Sequence, residues 1–321
     1  MTQEQHPPVV SIVIPAHNAA KTIRQTIDSA LAQTFTDFEL IVIDDGSSDG
    51  TAEAVASVRD ARVRLKFAAQ GGSAVARNRG IALARGEMIC FLDADDLWAP
   101  TKLERQLEAL RRHPEAGVAY AWTDLVNERS EPLFRGGHVA LSGRVYPKLL
   151  VYNFLECGSN PMVRRSALEA AGGFNEQLVN SEDWDLWLRL SQQTEFVAVP
   201  ETLVYYRMSE EAKSANVERQ ARNCLALVRS VFRAAPESLR GLERKTVSRV
   251  YRYLAMRTVF ARRTRRRMRL AYGFVYRSFR ARPSVSVLPF LCILSVCAAL
   301  TAAGANRALY RLSCRLPVMP L

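Results

Sequence analysis

Apolar residues in the first hundred positions come in two alternating rhythms. The runs VVSIVIPAH, FELIVIDDGSSDG, RVRLKFA and EMICFLDADD are short, apolar and mostly β-branched, the pattern of strands buried in a parallel sheet. Between them the spacing changes to that of helices. AAKTIRQTIDSALAQT carries Ile23, Ile27, Ala30 and Leu31 on one face, TAEAVASV follows the second strand, and GGSAVARNRGIALARG starts on glycine and ends at Gly86. PTKLERQLEALRRH has Pro100 at its first turn. Four strand–helix alternations with short connections predict a doubly wound α/β sheet with right-handed crossovers. From Gly117 to about Arg207 the pattern is mixed. GVAYAWTDLV and GSNPMVRR read as strands, and SEDWDLWLRLSQQ as a helix with Ser181 as N-cap and acidic residues in its first turn. From Ser214 onward the chain reads as helical.

Polar clusters fall at three of the strand ends: PAHN after the first strand, DDGSSDG after the second and DADD after the fourth. Open α/β sheets bind ligands outside the carboxyl ends of their strands. The pattern therefore predicts one crevice lined by Asp44, Asp45, Asp93, Asp95, Arg77 and several backbone amides. Asp93, Asp95 and Asp96 crowd into four positions, and mutually repelling carboxylates call for a cation. Mg²⁺ or Mn²⁺ suits them, since these hard ions take one or two carboxylates plus substrate phosphates. The plainer alternative is that the cluster caps the following helix, a role that fits Asp96 best.

These same residues carry a resemblance. The stretch from VSIVIPAHN to DDGSSDGT, then GGSAVARNRGIALARGE, FLDADDLW, GGFNEQL and SEDWDLWLRL, resembles the family-two glycosyltransferases of the GT-A fold over about the first 210 residues. The resemblance implies a GT-A nucleotide-diphospho-sugar transferase fold with a mixed, doubly wound sheet. It also implies transfer of a sugar from a nucleotide-diphosphate donor, usually a UDP-sugar, with inversion at the anomeric carbon. It puts Pro15, His17, Asn18 and Asp45 around the nucleoside, with Asp45 accepting from the base, and Arg77 at the nucleotide. Asp93, Ala94 and Asp95 become the D-x-D element, with Asp95 the metal ligand and Asp93 nearer the ribose, itself a second candidate ligand. Asp183, beside Glu182, becomes the catalytic base. The chemistry agrees: a departing diphosphate gains negative charge that a divalent ion stabilises, and an attacking hydroxyl must give up a proton to a carboxylate within reach. Two positions depart from the family pattern. His17 stands where an aromatic residue, often Tyr, is usual, and Gln70 where Asn is usual.

Other side chains weigh less. Trp184 and Trp187 fit core or wall positions better than sugar platforms. Glu156 to Pro161 reads equally as a loop under the acceptor or a strand-entry turn. His113 and His138 show no metal-ligand spacing and are expected at the surface.

Charge changes the picture of the C-terminal third. The 321-residue chain carries a net +12, yet residues 1–210 hold 21 Lys/Arg against 28 Asp/Glu, and residues 211–321 hold 23 against 4. No carboxylate side chain follows Glu243. A catalytic domain over 1–212 and a basic helical region over 213–321 are expected, the latter with a polyanionic neighbour. Arg262 to Arg269 is a basic run, and Ser284 to Ala303 is twenty residues without charge. That apolar segment reads as a helix on or partly in the cytoplasmic leaflet, as a single span, or as a helix docked on the protein. A peripheral membrane contact through 259–303 is expected, with nucleic acid disfavoured because no recognised binding module accompanies the arginines. Six cysteines without a C-x-x-C pair indicate reduced thiols, and MTQEQHPPVV lacks the basic start and apolar run of a signal peptide. The expected place is therefore the cytoplasm, at the cytoplasmic face of the membrane, and the expected acceptor a glycan or lipid-linked glycan. A sugar-phosphate nucleotidyltransferase would need a glycine-rich basic loop where PAHNAAK stands, and a non-catalytic nucleotide-sugar or RNA binder would have no use for Asp95 and Asp183.

Overall fold

A computed structural model describes residues 6–209, 216–260, 265–284, 287–303 and 305–315. The expected domain boundary at 212 lies outside them, as does part of the Arg262–Arg269 run and of the 284–303 segment. The chain divides into two compact units: Met1–Thr123 with Ala140–Val145 and Cys157–Tyr206, and Asp124–Val139 with Tyr146–Glu156 and Arg207–Leu321.

The first unit opens with the predicted alternation: β1 (Val10–Ala16), α1 (Ile23–Leu31), β2 (Phe38–Asp45), α2 (Thr51–Ala56), β3 (Val63–Ala68), α3 (Ser73–Leu83), β4 (Met88–Phe91), a two-residue β5 (Leu97–Trp98) and α4 (Lys102–Arg112). Along the chain then come β6 (Ala116–Val126), β7 (Pro132–Arg135), the single turn α5 (Tyr146–Leu149), β8 (Met162–Arg164), α6 (Arg165–Ala170), α7 (Glu182–Gln193) and β9 (Glu195–Arg207), of which β7 and α5 belong to the second unit. The sheet runs β3-β2-β1-β4-β8-β6-β9-β5, with β7 paired to β6. The first four strands are parallel, and β8 joins β4 and β6 antiparallel. The sheet is thus mixed and doubly wound, as expected. Its central strands are continuous apolar runs because both faces are covered: Ile12, Ile14, Leu40, Val42 and Cys90 share one core with Ile23, Ile27, Leu103 and Leu107 of the flanking helices. Helix α3 lies so close to β1 that a Cβ on Gly80 would sit 2.2 Å from Val13 Cγ1.

The second unit is mainly helical: α8 (Val217–Ala234), α9 (Glu237–Arg240), α10 (Glu243–Phe260), α11 (Arg265–Ala281), α12 (Val287–Ala302) and α13 (Asn306–Arg315). Asn216 caps α8 by accepting from Arg219 N. Among the described residues no helix is long and apolar enough to cross a membrane. Helix α12 instead buries Phe290, Leu294, Cys297 and Ala298. One sequence expectation fails here. His138, at positive φ, is half-buried rather than exposed, because its Nε2 meets Asp124 Oδ1 at 2.6 Å while Arg135 Nε reaches its Nδ1 at 2.9 Å. Asp124 also accepts from Tyr310 of α13 and from Gly136 N, so the ring is drawn into a polar network. His113 is exposed, as expected.

Candidate active site

The carboxyl ends of β1, β2 and β4 and the start of α3 lie in the first unit, and their polar clusters are tied to one another. Asp45, at the end of β2, accepts from Gly71 N (2.8 Å) and Gly72 N (2.7 Å), so its carboxylate holds the orphan amides that lead into α3. Gly72 has φ +91°, a conformation that favours glycine. Asp44 accepts from Ser47 N, and Asn18, itself at φ +51°, accepts from Ser48 N. His17 Nδ1 donates to the Asp45 carbonyl at 3.0 Å, since a carbonyl can only accept. Its Nε2 then faces Gln70 Nε2 at 3.3 Å and Asn18 Nδ2 at 3.4 Å. The two residues that depart from the family pattern therefore contact each other. Pro15 lies one residue before the end of β1, opposite Ile43 of β2.

After β4, the turn Asp93–Ala94–Asp95–Asp96 is fixed by groups the sequence reading did not single out. Thr22, just before α1, and Thr26 on α1 both donate to the Ala94 carbonyl, and Thr26 also reaches the Asp96 carbonyl. Ser159 accepts from Asp93 N at 2.9 Å and donates to Asp96 Oδ2 at 2.5 Å. Asp96 is fully buried and spent on Ser159, and α4 begins only at Lys102, so Asp96 does not act as the helix cap that the sequence suggested. Asn160 reads the edge of β6 through Ala121 N and O. Glu156–Pro161 thus ends in a clamp on the acidic turn. No sequence signal marks Ser159 or Asn160, whose partners lie 37 to 66 residues away.

Arg77, projecting from α3, is 4% exposed and bridges two acids. It pairs with Asp93 Oδ1, and its Nη1 donates to Glu182 Oε1 at 2.9 Å, a carboxylate that also receives Ser73 Oγ at 2.6 Å. Its guanidinium carbon lies 5.2 Å from the centre of the Phe174 ring, which packs edge-on against Phe91 and Trp187. Burial works against the charge of Arg77, and Asp93 and Glu182 more than offset it, raising its pKa. Burial likewise opposes ionisation of Glu182, but Arg77 and Ser73 prevail and its pKa falls. Arg77 Nε is buried with no partner among the described residues. Asp183, next in sequence and half-buried, has its pKa pushed up to about 7 by desolvation and then by the charges of Glu182 and Asp93. Trp184 N donates to Asp183 Oδ1 at 2.7 Å. Ser181 precedes α7 as expected but sits at φ +65° and makes no side-chain capping bond. Trp184 and Trp187 are core residues.

The structure therefore ties Arg77, Asp93, Glu182 and Asp183 into one electrostatic cluster, and His17, Asn18, Asp45 and Gln70 into a second. Asp95 stands half-buried in the same turn as Asp93. Among the described residues no group of three His, Cys, Asp or Glu side chains is arranged to hold a metal. A divalent ion shared between one or two carboxylates and substrate phosphates needs no such trio. The donor set fits: Asp93 and Asp95 offer hard oxygens, and carboxylates outnumber the one guanidinium enough to raise Asp183.

A mixed sheet with four parallel strands, an acidic turn past β4 and an acid-bearing helix α7 defines the class, a GT-A glycosyltransferase fold. Residues 11–258 match the family described as Glycosyltransferase like family 2, and the chain belongs to it. It is 31% identical over 223 residues to an uncharacterized glycosyltransferase, RT0329, of Rickettsia typhi, covering 67% of this chain and 69% of that one. It is 33% identical over 213 residues to the UDP-Glc:alpha-D-GlcNAc-diphosphoundecaprenol beta-1,3-glucosyltransferase WfgD of Escherichia coli, covering 65% and 80%. The match spans only 34% of a longer Rickettsia bellii relative. Among solved structures, the mannosyltransferase PcManGT of Pyrobaculum calidifontis, in complex with GDP-Man and Mn²⁺, superposes with a TM-score of 0.60 at 20% identity over 98% of this chain and 85% of that one. TarS of S. aureus, in complex with UDP-GlcNAc, gives 0.56 at 18% over 94% and 83%. These likenesses establish the fold.

Proposed function

We propose that this glycosyltransferase moves a sugar, with inversion, from a UDP-sugar to a hydroxyl of a glycan or lipid-linked acceptor at the cytoplasmic face of the membrane. The observation that carries the reading is the buried bridge of Arg77 between Asp93 and Glu182, with Asp183 held beside it near neutral pKa. A base poised near the working pH is ionised in a good share of molecules and can take the acceptor's proton as the hydroxyl attacks. Asp183 fills that role. Arg77 orients Asp93 and, with its unused Nε, offers a donor to a donor-substrate oxygen. Asp95 and Asp93 would hold Mn²⁺ or Mg²⁺, which would supply Lewis-acid stabilisation of the departing diphosphate. His17, Asn18, Pro15 and Asp45 would line the nucleoside, with Ala94 backing the turn. The lipid-linked acceptor is supported by the activity WfgD is named for, and by the basic, apolar second unit, whose expected membrane contact runs through 259–303. The catalytic domain over 1–212 is part of the same proposal.

Incubating the protein with a panel of nucleotide sugars and Mn²⁺ tests the reading. Asp183→Asn should cut transfer by about 10²–10⁴-fold while leaving nucleotide binding intact. Asp95→Asn should abolish the metal requirement together with transfer. Normal transfer by both variants would overturn the site.

A further inference from the structure

The second unit concentrates positive charge at one place, on residues not assigned so far. Lys245, Arg249 and Arg252 fall at i, i+4 and i+7 on α10, hence on one face of that helix. Two neighbours bring further cations to the same face. The segment containing α5 is joined to α10 by Thr246 Oγ1 donating to the Leu150 carbonyl at 3.0 Å, which brings exposed Lys148 alongside. The end of α11 is joined to α10 by the Ser248–Ser278 hydroxyl contact at 2.9 Å and by Arg244 Nε donating to the Ala281 carbonyl at 3.0 Å, which brings exposed Arg282 alongside. Arg249 is held in place by its stack, 4.5 Å over the Tyr152 ring. The cations depress one another. The Lys245 pKa is lowered by burial and then by Arg249, Arg282 and Lys148, and that of Arg252 by burial and then by Arg249 and Arg282. Every charge acting on Lys245 in that account is positive, and the chain has no carboxylate side chain beyond Glu243.

Such a cluster costs stability unless an anion meets it. Its rim is apolar. Tyr276 and Phe279 of α11 are 62% and 45% exposed, just before Arg282. Arg252 lies 5.6 Å over the ring of Phe290 on the uncharged α12, whose outward residues include Pro289, Cys292 and Val296. Tyr272 and Ser295 join the exposed edges of α11 and α12 through their hydroxyls at 3.0 Å. Phosphate chemistry at the centre and an aromatic, aliphatic border together match a lipid headgroup with its acyl boundary. An RNA backbone would use the cations and leave the border idle.

We propose that Lys148, Lys245, Arg249, Arg252 and Arg282 form a phosphate-binding site that takes the headgroup of an anionic phospholipid, with Phe279, three residues before Arg282, seated at the acyl boundary. The site deepens the membrane contact of the proposed function and rests on it. It lies before and around the 259–303 segment rather than within its apolar helix.

The test is flotation of the full chain with vesicles of phosphatidylcholine containing about 30 mol% phosphatidylglycerol, against phosphatidylcholine alone, at about 0.15 M salt. Wild type should bind the anionic vesicles only. The triple variant Lys245→Gln, Arg249→Gln, Arg282→Gln should lose roughly 100-fold in partitioning, about fivefold per charge. A charge-matched triple on exposed α8 positions, Arg222→Gln, Arg229→Gln, Arg233→Gln, should lose less than about threefold, because those charges lie outside the site. Lys148→Glu, at an exposed position that no core contact needs, should lose at least as much as one site charge, and thermal melting of each variant reports folding separately. If wild type ignores anionic vesicles, the membrane reading and the site both fall. If wild type binds and the two triples lose equally, only the site falls. Displacement by millimolar inorganic pyrophosphate, or preference for an RNA oligonucleotide over vesicles, would reassign the cluster and overturn the lipid assignment.

Discussion

At the scale of single residues, the site turns on one carboxyl whose charge is contested. Asp183 is pushed up to about 7 by desolvation, then by Glu182 and Asp93. As the proposed base it must be ionised, so kcat should rise with pH through a limb near neutrality. Glu182→Gln removes the nearest like charge and leaves Arg77 freer to act on Asp183, so that limb should move to lower pH. A pH–rate profile of the variant reads the direction, and an unmoved or raised limb would dissociate Glu182 from Asp183. Ser159 is a second test. It is fully buried and satisfies both Asp93 N and Asp96 Oδ2. Ser159→Ala should cost about 1–3 kcal/mol in denaturant unfolding and lower transfer, because it strands two buried polar groups. Neither effect could be read from the sequence, where serine is an unmarked residue.

At the scale of elements, helix α3 does two jobs. Its leading glycines give their amides to Asp45, and its body carries Arg77 into the acidic cluster. Both depend on how closely α3 approaches β1, which Gly80 permits. Gly80→Ala would bring a methyl within 2.2 Å of Val13, and unfolding should become easier by about 1–3 kcal/mol, measured by denaturant midpoint. The GGSAVARNRG pattern announced the helix and its start. It could not announce this approach, because a glycine inside a helical pattern is by propensity only a weak position. Helix α7 makes the opposite point. Acid-rich SEDWDLW fixed its start correctly, but Ser181 adopts a left-handed conformation and leaves capping aside, since the chain leading into α7 decides its backbone.

At the scale of the whole molecule, each unit holds a carboxyl raised towards neutrality or above. Desolvation and neighbouring charge bring Asp183 to about 7. Glu156 reaches about 8 by desolvation, opposed by a bond from Gly137 N and aided by Asp124. A raised carboxyl binds its proton more tightly folded than unfolded. The folded state therefore holds more protons between the ordinary carboxylate range and these values, and stability must fall as pH rises through that window. Both groups are half-buried, so solvent screening limits each contribution to about 1–2 kcal/mol. Unfolding at pH 8.5 should be easier than at pH 5.5 (about three pH units apart), and Asp183→Asn should remove part of that difference. An opposite trend would show that other groups control the linkage.

Hydrophobic rhythm and strand-end polarity were enough to establish the sheet, its parallel first half and the edge where the polar clusters meet, since burial on both faces and the geometry of crossovers leave few other solutions. Asp45, Arg77 and Asp93 stood out at that edge for the same reason, whereas Asp183 was singled out by the family resemblance. What each of them touches was not legible. The Arg77 bridge, the Ser159 clamp, the meeting of His17 with Gln70 and the tie of His138 to Asp124 join residues distant in the chain. A side chain's partner is decided by which surfaces packing brings within about 3 Å, and local sequence carries no record of that distance.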